Sequence, residues 1–149
     1  MGDKIHFKRR ELIKSISETF DEESFNNHAF RKNILLILKD YYQNYYLKNN
    51  NKFNIEKNGK DAGLNISNLS DSIILSAYDS IIRYLFPQPN PTTSDKLSIL
   101  AVGGYGRRQL SPGSDIDLLI LTPYKLIPRT EQIVETLLYI LWDMKIKVG

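Results

Sequence analysis

The chain has 149 residues, of which 42% are hydrophobic and 25% charged, and it contains no cysteine. This composition is typical of a globular domain, and the lack of cysteine excludes disulfide scaffolds, thiolate metal sites and cysteine nucleophiles. The net charge of +3 is too small to predict a nucleic-acid partner. Because the amino terminus is charged and no apolar run is long enough to span a membrane, we expect a cytoplasmic protein without membrane contact.

Residues 1–95 are predicted to form a helical amino-terminal region. Apolar side chains recur there three or four residues apart, which is the spacing of one face of a helix. This spacing predicts three helices, at about 8–20, 24–47 and 70–85. An aromatic stripe along the second of them is typical of a face that packs against other helices.

The segment between the second and third predicted helices has a different composition. Residues 48–68 are rich in Asn, Lys and Gly and poor in apolar side chains, so we predict a long flexible loop there. Ser70 or Asp71 would then cap the third helix. The prolines between residues 86 and 91 would end that helix, because proline cannot continue it.

After the prolines, the spacing of apolar residues changes from helical to strand-like. Two short apolar runs, at 97–102 and 116–121, predict buried strands. Pro128 opens an amphipathic helix, and residues 145–148 resemble the start of a third strand. Together these elements form a β–turn–β–α unit, and with the preceding helices they predict an α+β or α/β fold.

The most informative stretch, GGYGRRQLSPGSDIDLLIL, occupies residues 103–121. Asp115 and Asp117 are one residue apart, so on a strand their side chains point to the same face while Ile116 points to the other. Two neighbouring carboxylates repel each other, and a divalent cation removes that repulsion. Hard oxygen ligands suit Mg²⁺, which commonly takes one or two carboxylates together with substrate phosphates.

The residues just before the acidic pair have the properties of a phosphate-binding site. Gly103 and Gly104 let the backbone turn sharply and approach a ligand closely, and their N–H groups can bind phosphate oxygens. Ser114 adds a hydroxyl, and Arg107 and Arg108 are placed to neutralise phosphate charge. A phosphate-binding turn shortly before a metal-binding edge predicts nucleotidyl transfer, in which catalysis is largely positioning and charge neutralisation.

Other nucleotide-binding motifs fit this stretch poorly. It lacks the Gly-Lys-Ser/Thr of a P-loop. It also lacks the third glycine of a dinucleotide fingerprint, and Ser111-Pro112 interrupts the long helix that should follow. The alternative without function is a glycine turn that joins two strands and carries surface aspartates.

The stretch closely resembles the nucleotidyltransferase signature of the DNA polymerase β superfamily. More narrowly, it resembles the amino-terminal part of the bifunctional uridylyltransferase/uridylyl-removing enzymes of bacterial nitrogen signalling. That family has a Gly-Gly-Tyr-Gly-Arg turn followed by Leu-x-Pro-x-Ser-Asp-Ile-Asp-Leu-Leu, which here are residues 103–107 and 110–119. The sequence LLYILWDMKIKVG at 137–149 also resembles the family, whereas Arg108 departs from it, because the family usually has a small residue there, typically Gly.

The resemblance implies a Mg²⁺-dependent transfer of a uridylyl group from UTP to a tyrosine of a small PII-type signal protein. It implies that Asp115 and Asp117 are the catalytic residues and hold the metal. The residues implied in nucleotide and phosphate binding are Gly103, Gly104, Ser114 and Arg107.

The resemblance also implies parts that this sequence does not contain. The superfamily uses a third carboxylate on a later strand, whereas the acids after Asp117 are Glu131, Glu135 and Asp143, none in the expected strand setting. The HD and ACT domains of the family are absent as well. We therefore interpret the chain as an amino-terminal piece of a larger enzyme, with a partial, truncated nucleotidyltransferase domain at 96–149.

Two alternatives to this interpretation stay open at the level of the sequence. The chain can be another polymerase-β-like nucleotidyltransferase that uses a different nucleotide or acceptor. It can also be an inactive remnant that only binds nucleotide or a partner.

Overall fold

A computed structural model describes residues 5–149, so the first four residues of the predicted helical region lie outside the described residues. In order, the elements are helices α1 (Arg9–Ser17), α2 (Asn27–Glu56) and α3 (Gly59–Ser80), a π-helical turn (Ile81–Leu85), a 3-10 turn (Thr93–Asp95), strand β1 (Ser98–Ala101), helix α4 (Gly103–Gly106), strand β2 (Leu118–Leu121) and helix α5 (Pro128–Asp143). The predicted α+β fold class is confirmed. None of the helices within residues 5–149 combines the length and apolarity needed to cross a membrane.

Helices α2 and α3 occupy the segment that was expected to be a loop. Residues 48–68 are helical except at Lys57 and Asn58, so the prediction of a long flexible loop is wrong. Lys57 ends α2 in the left-handed conformation, with φ 55°. The Asn58 side chain then accepts a hydrogen bond from the Asp61 N–H at 3.0 Å and begins α3. Two residues therefore suffice to reverse the chain between the helices.

The asparagines that suggested a loop are paired inside the α2–α3 contact. Asn65 Nδ2 donates to Asn49 Oδ1 at 3.0 Å, and Asn49 Nδ2 donates to the Ala62 carbonyl at 3.1 Å. Both side chains are buried, and buried amides are tolerated when their hydrogen bonds are satisfied. Because α3 begins at Gly59, Ser70 and Asp71 lie in its interior, and the predicted helix start at these two residues is wrong.

One hydrophobic core joins the amino-terminal helices to the rest of the chain. Helix α3 packs against α1, α2 and α5. Phe30, from the aromatic stripe of α2, is 3% exposed, and its ring lies 5.2 Å from that of Tyr84, which confirms the predicted packing face. The largest fully buried apolar side chains of the core are Ile16, Ile34, Leu38, Leu69, Ile73, Ile81, Leu110, Ile133, Leu137, Ile140 and Leu141.

Strands β1 and β2 form an antiparallel sheet, which a third segment extends. Ile116 forms a parallel bridge with Val148. In this bridge the Ile116 N–H donates to the Lys147 carbonyl at 2.8 Å, and the Gly149 N–H donates to the Ile116 carbonyl at 3.0 Å. The strand predicted at 145–148 is therefore present as one bridge, and the pairing around it is mixed.

The prediction that both strands are buried is wrong. Leu100, Leu119 and Leu121 are 40%, 46% and 48% exposed. They share one face of the sheet, because Leu100 pairs with Leu119 and Leu121 lies two residues further along β2. The other face, with Ile99 and Leu118, packs against the core. Within residues 5–149 the helices thus cover one face of the sheet only.

Candidate active site

The candidate site begins where β1 runs into the short helix α4. Gly103 opens this helix with φ +57°, a left-handed conformation that glycine adopts without the steric cost of a Cβ. The turn is closed by the Gly106 N–H, which donates to the Val102 carbonyl at 2.8 Å. Gly106 also packs tightly, because a Cβ at this position would lie 2.6 Å from the Ala101 carbonyl oxygen. The sequence thus forms the sharp turn that its glycines predict.

The Asp117 side chain lies directly against this turn. A Cβ added to Gly103 would overlap the Asp117 carboxylate, and a Cβ added to Gly149 would lie 2.7 Å from its Oδ1. The backbone fixes this position, because the Val102 N–H donates to the Asp117 carbonyl at 3.0 Å. The structure therefore brings together the second acid of the predicted pair and the first glycine of the predicted turn.

Asp115 directly precedes Ile116, the residue that forms the bridge with Val148. Ile116 is 4% exposed, Asp115 is exposed and Asp117 is half-buried. This alternation is that of an extended chain with one face on the core. Within the part of the chain that the structure describes, no Lys, Arg or His side chain forms an ion pair with either acid. Both carboxylates are therefore available to a cation from solution.

The remaining predicted phosphate-binding residues are Gly104, Arg107 and Ser114. Gly104 lies within α4 and is half-buried. Arg107 follows α4 with an exposed side chain, and its N–H donates to the Gly103 carbonyl at 3.2 Å. The Ser114 hydroxyl is exposed and donates to the Ser111 carbonyl at 2.8 Å. The phosphate-binding roles of these three residues stay predictions.

Asp71 of α3 contacts the turn, and the sequence did not indicate it as a site residue. Its Oδ1 accepts a hydrogen bond from the Tyr105 hydroxyl at 2.6 Å, and its Oδ2 lies 3.2 Å from Arg108 Nη1. Arg108 also donates to Asn68 Oδ1 at 2.6 Å. Although we expected Arg108 to neutralise phosphate, its guanidinium contacts α3 instead. The sequence feature that could have indicated this contact is Arg108 itself, because the family that the chain resembles typically has glycine at this position.

Burial and hydrogen bonding determine the protonation of Tyr105. The side chain is 4% exposed, and this burial, followed by the hydrogen bond to Asp71, raises the pKa of Tyr105 far above its ordinary value. The phenol therefore remains protonated at neutral pH and remains the donor in its contact with Asp71.

The acidic pair fits Mg²⁺ as one part of a coordination shell. Two carboxylates are hard oxygen ligands, and Mg²⁺ usually completes its shell with water and substrate phosphates. Residues 5–149 contain no group of three or more His, Cys, Asp or Glu side chains that could hold a metal ion. Glu131, Glu135 and Asp143 all belong to α5, as the sequence predicted. A cation held by Asp115 and Asp117 would therefore complete its coordination with ligands other than these side chains, such as water or phosphate oxygens.

Comparison with known proteins identifies similar sequences along almost the entire chain. The chain is 39% identical to the bifunctional uridylyltransferase/uridylyl-removing enzyme of Azospirillum brasilense over 141 residues, which are 95% of this chain. It is 37% identical to the enzyme of that name from Rhodospirillum rubrum over 142 residues, or 94% of this chain. The resemblance to this family is confirmed.

The chain spans about 15% of the length of these two uridylyltransferase/uridylyl-removing enzymes. The chain is 49% identical to the enzyme of that name from Caulobacter vibrioides over 84 residues, which are 56% of this chain and 9% of that protein. No family model matches the chain. No solved structure matches it either.

Proposed function

We propose that this chain carries the triphosphate- and metal-binding part of a cytoplasmic uridylyltransferase. In this proposal a uridylyl group passes from UTP to a tyrosine of a PII-type signal protein. The observation that supports it most is the contact of the Asp117 carboxylate with the left-handed turn at Gly103. The similarity to enzymes named as uridylyltransferases supports the choice of nucleotide.

The glycine turn would bind the triphosphate. In residues 5–149, no backbone carbonyl accepts a hydrogen bond from the N–H of Gly103 or Gly104, and the first N–H groups of a helix lack partners within that helix. Such groups bind phosphate oxygens readily. Arg107 would neutralise phosphate charge from the exposed end of the turn, and the Ser114 oxygen retains lone pairs that can accept a hydrogen bond.

Asp115 and Asp117 would hold Mg²⁺ beside the triphosphate. The bound cation would neutralise charge on the phosphates, which favours attack on phosphorus. The contribution of the chain is to hold the two carboxylates and the turn in fixed positions. For Asp117 this position is set by the backbone hydrogen bond from Val102 and by the contact with Gly103.

The proposed reaction exchanges one phosphorus–oxygen bond for another. The phenolic oxygen of the acceptor tyrosine forms a bond to the α-phosphorus of UTP. The bond from that phosphorus to the oxygen that bridges it to the β-phosphorus breaks, and pyrophosphate leaves with the bonding electron pair. The phenolic proton passes to solvent.

A label-transfer assay tests this proposal. The chain is incubated with Mg²⁺, a PII-type protein and UTP labelled at the α-phosphate, and we expect label on the acceptor. Asp115→Asn removes a metal ligand at an exposed position, so it should abolish transfer and Mg²⁺-dependent UTP binding without unfolding the chain. Asp40→Asn is the matched control, because Asp40 is exposed on α2, where it accepts a hydrogen bond from the neutral side chain of Asn44 at 3.2 Å.

Three outcomes of the assay would contradict the proposal. Transfer from another nucleoside triphosphate but not from UTP would indicate a different nucleotidyltransferase. Mg²⁺-dependent nucleotide binding without turnover would indicate a protein that only binds nucleotide. Unchanged transfer by Asp115→Asn would show that the acidic pair is not the site.

A further inference from the structure

We propose that Asp71 is a positioning residue that fixes the glycine turn to helix α3 in the form that binds nucleotide. This inference rests on the proposed function, and it concerns a residue outside the motif that predicts the site. Asp71 lies in the interior of α3. Of its two partners, Tyr105 lies in α4 and Arg108 lies two residues after the end of α4.

The Asp71 carboxylate uses both of its oxygens to hold the turn. Oδ1 accepts from the Tyr105 hydroxyl at 2.6 Å, and Oδ2 lies 3.2 Å from Arg108 Nη1. Hydrogen bonds to a charged carboxylate are stronger than those between neutral groups. Because Tyr105 is 4% exposed, its hydroxyl would lose its partner in a buried setting if Asp71 were removed. The contact therefore restrains helix α4 from outside the turn.

The backbone conformation of Arg108 is one that such a contact would have to stabilise. Its φ is +57°, a conformation that is unfavourable for a residue with a Cβ. The ion pair with Asp71 and the hydrogen bond to Asn68, at 2.6 Å, both act on its guanidinium. They stabilise an arginine at a position whose backbone conformation suits glycine. Arg108 and the Asp71 carboxylate on α3 thus depend on each other structurally.

The position of the turn bears directly on the acidic pair. Gly103 at the start of α4 contacts the Asp117 carboxylate, so a shift of α4 would also shift the glycine relative to the metal-binding edge. Because the charge of Arg108 is paired with Asp71, the neighbouring cation that could contact a phosphate is the exposed Arg107. Loss of Asp71 should therefore weaken nucleotide binding although Asp71 itself need not touch the nucleotide.

The variant Asp71→Asn tests the inference with two readouts. The first is hydrogen exchange at the amides of Gly106 and Gln109, which donate within the turn to the carbonyls of Val102 at 2.8 Å and Gly104 at 2.9 Å. We expect exchange at these amides to become at least about tenfold faster. The second is the Kd for UTP with Mg²⁺, which should rise about tenfold, because the charged acceptor of the contacts with Tyr105 and Arg108 becomes neutral.

Asp79→Asn is the matched control for Asp71→Asn. Asp79 is also on α3, where it forms an ion pair with Arg9, and its side chain has nearly the same exposure, 37% against 33% for Asp71. Asp79→Asn should change neither readout at the turn. Tyr105→Phe serves as a second variant, because it removes one of the two contacts without changing a charge, and it should produce the same local increase in exchange.

The two readouts separate this inference from the proposed function. If the native chain fails to bind UTP with Mg²⁺, the proposed function is wrong, and exchange at the turn still decides whether Asp71 positions it. If the native chain binds UTP but Asp71→Asn leaves both the Kd and the turn exchange unchanged, the inference is overturned. Exchange that accelerates equally throughout the core would also overturn it, because the role of Asp71 would then be general stability.

Discussion

The helix pair α2–α3 and the glycine turn between β1 and α4 are held in place by different kinds of interaction. The helix pair buries apolar side chains such as Leu38 and Leu69 and satisfies its buried asparagines internally. The turn depends on left-handed backbone at Gly103 and Arg108, on the contact of Gly103 with Asp117, and on two contacts with Asp71. We therefore expect changes in the apolar core of the helix pair to alter mainly the free energy of unfolding, and changes in the turn or in the side chains that contact it to alter mainly ligand binding.

The largest effect on stability is expected in the helix pair. Leu38 is fully buried in α2, so Leu38→Ala should lower the free energy of unfolding by about 2–5 kcal/mol. The cost combines the lost transfer energy with that of the cavity left behind. Denaturant titration measures the change, and Leu36→Ala is the control, because Leu36 is 55% exposed on the same helix. A similar loss in both variants would contradict the assigned burial.

A smaller effect on stability but a large effect on binding is expected at Gly103. In Gly103→Ala the new Cβ would overlap the Asp117 carboxylate at a left-handed backbone position. We expect a stability loss of about 1–2 kcal/mol and a rise of more than about tenfold in the Kd for UTP with Mg²⁺. In the control, Gly59→Ala, the Cβ would meet no atom within 4 Å. If Gly103→Ala binds UTP as the native chain does, the turn is not part of the site.

The smallest effect is expected at the connection between α2 and α3. Asn58→Ala removes the side chain that caps α3, which should lower the free energy of unfolding by about 1 kcal/mol. UTP binding should not change, because the cap belongs to the helix pair. Asn51→Ala on the exposed surface of α2 is the control and should be neutral or slightly stabilising. Denaturant titration and UTP titration of the same samples check both statements. An altered UTP affinity in Asn58→Ala would show that the cap of α3 also affects the site.

The glycine turn was predictable from the sequence because its determinants are local. A run of glycines before an Asp-x-Asp pair specifies backbone freedom and carboxylate spacing within a few residues. The structure shows both the left-handed Gly103 and the buried Ile116 between the two acids. Helix α5 was predictable for the same reason, since Pro128 and the apolar spacing after it are local signals.

The parts that the sequence did not reveal depend on contacts between distant residues. Composition alone cannot distinguish asparagines in a loop from Asn49 and Asn65, which pair across two helices. An apolar run predicts a strand, but the burial of each of its faces depends on what packs there, so Leu119 and Leu121 are exposed. Asp71 could not be assigned to the site, because only the folding of α3 brings it to the turn.

A calorimetric titration of UTP into the native chain and into Asp117→Asn, with Mg²⁺ and with a chelator, tests whether the acidic pair and the glycine turn together bind the nucleotide with its metal. Such joint binding predicts Mg²⁺-dependent affinity for UTP in the native chain and in Asp40→Asn, and a Kd more than about tenfold higher for Asp117→Asn. Equal affinities for Asp117→Asn and the native chain, or native binding that the chelator leaves unchanged, would contradict it.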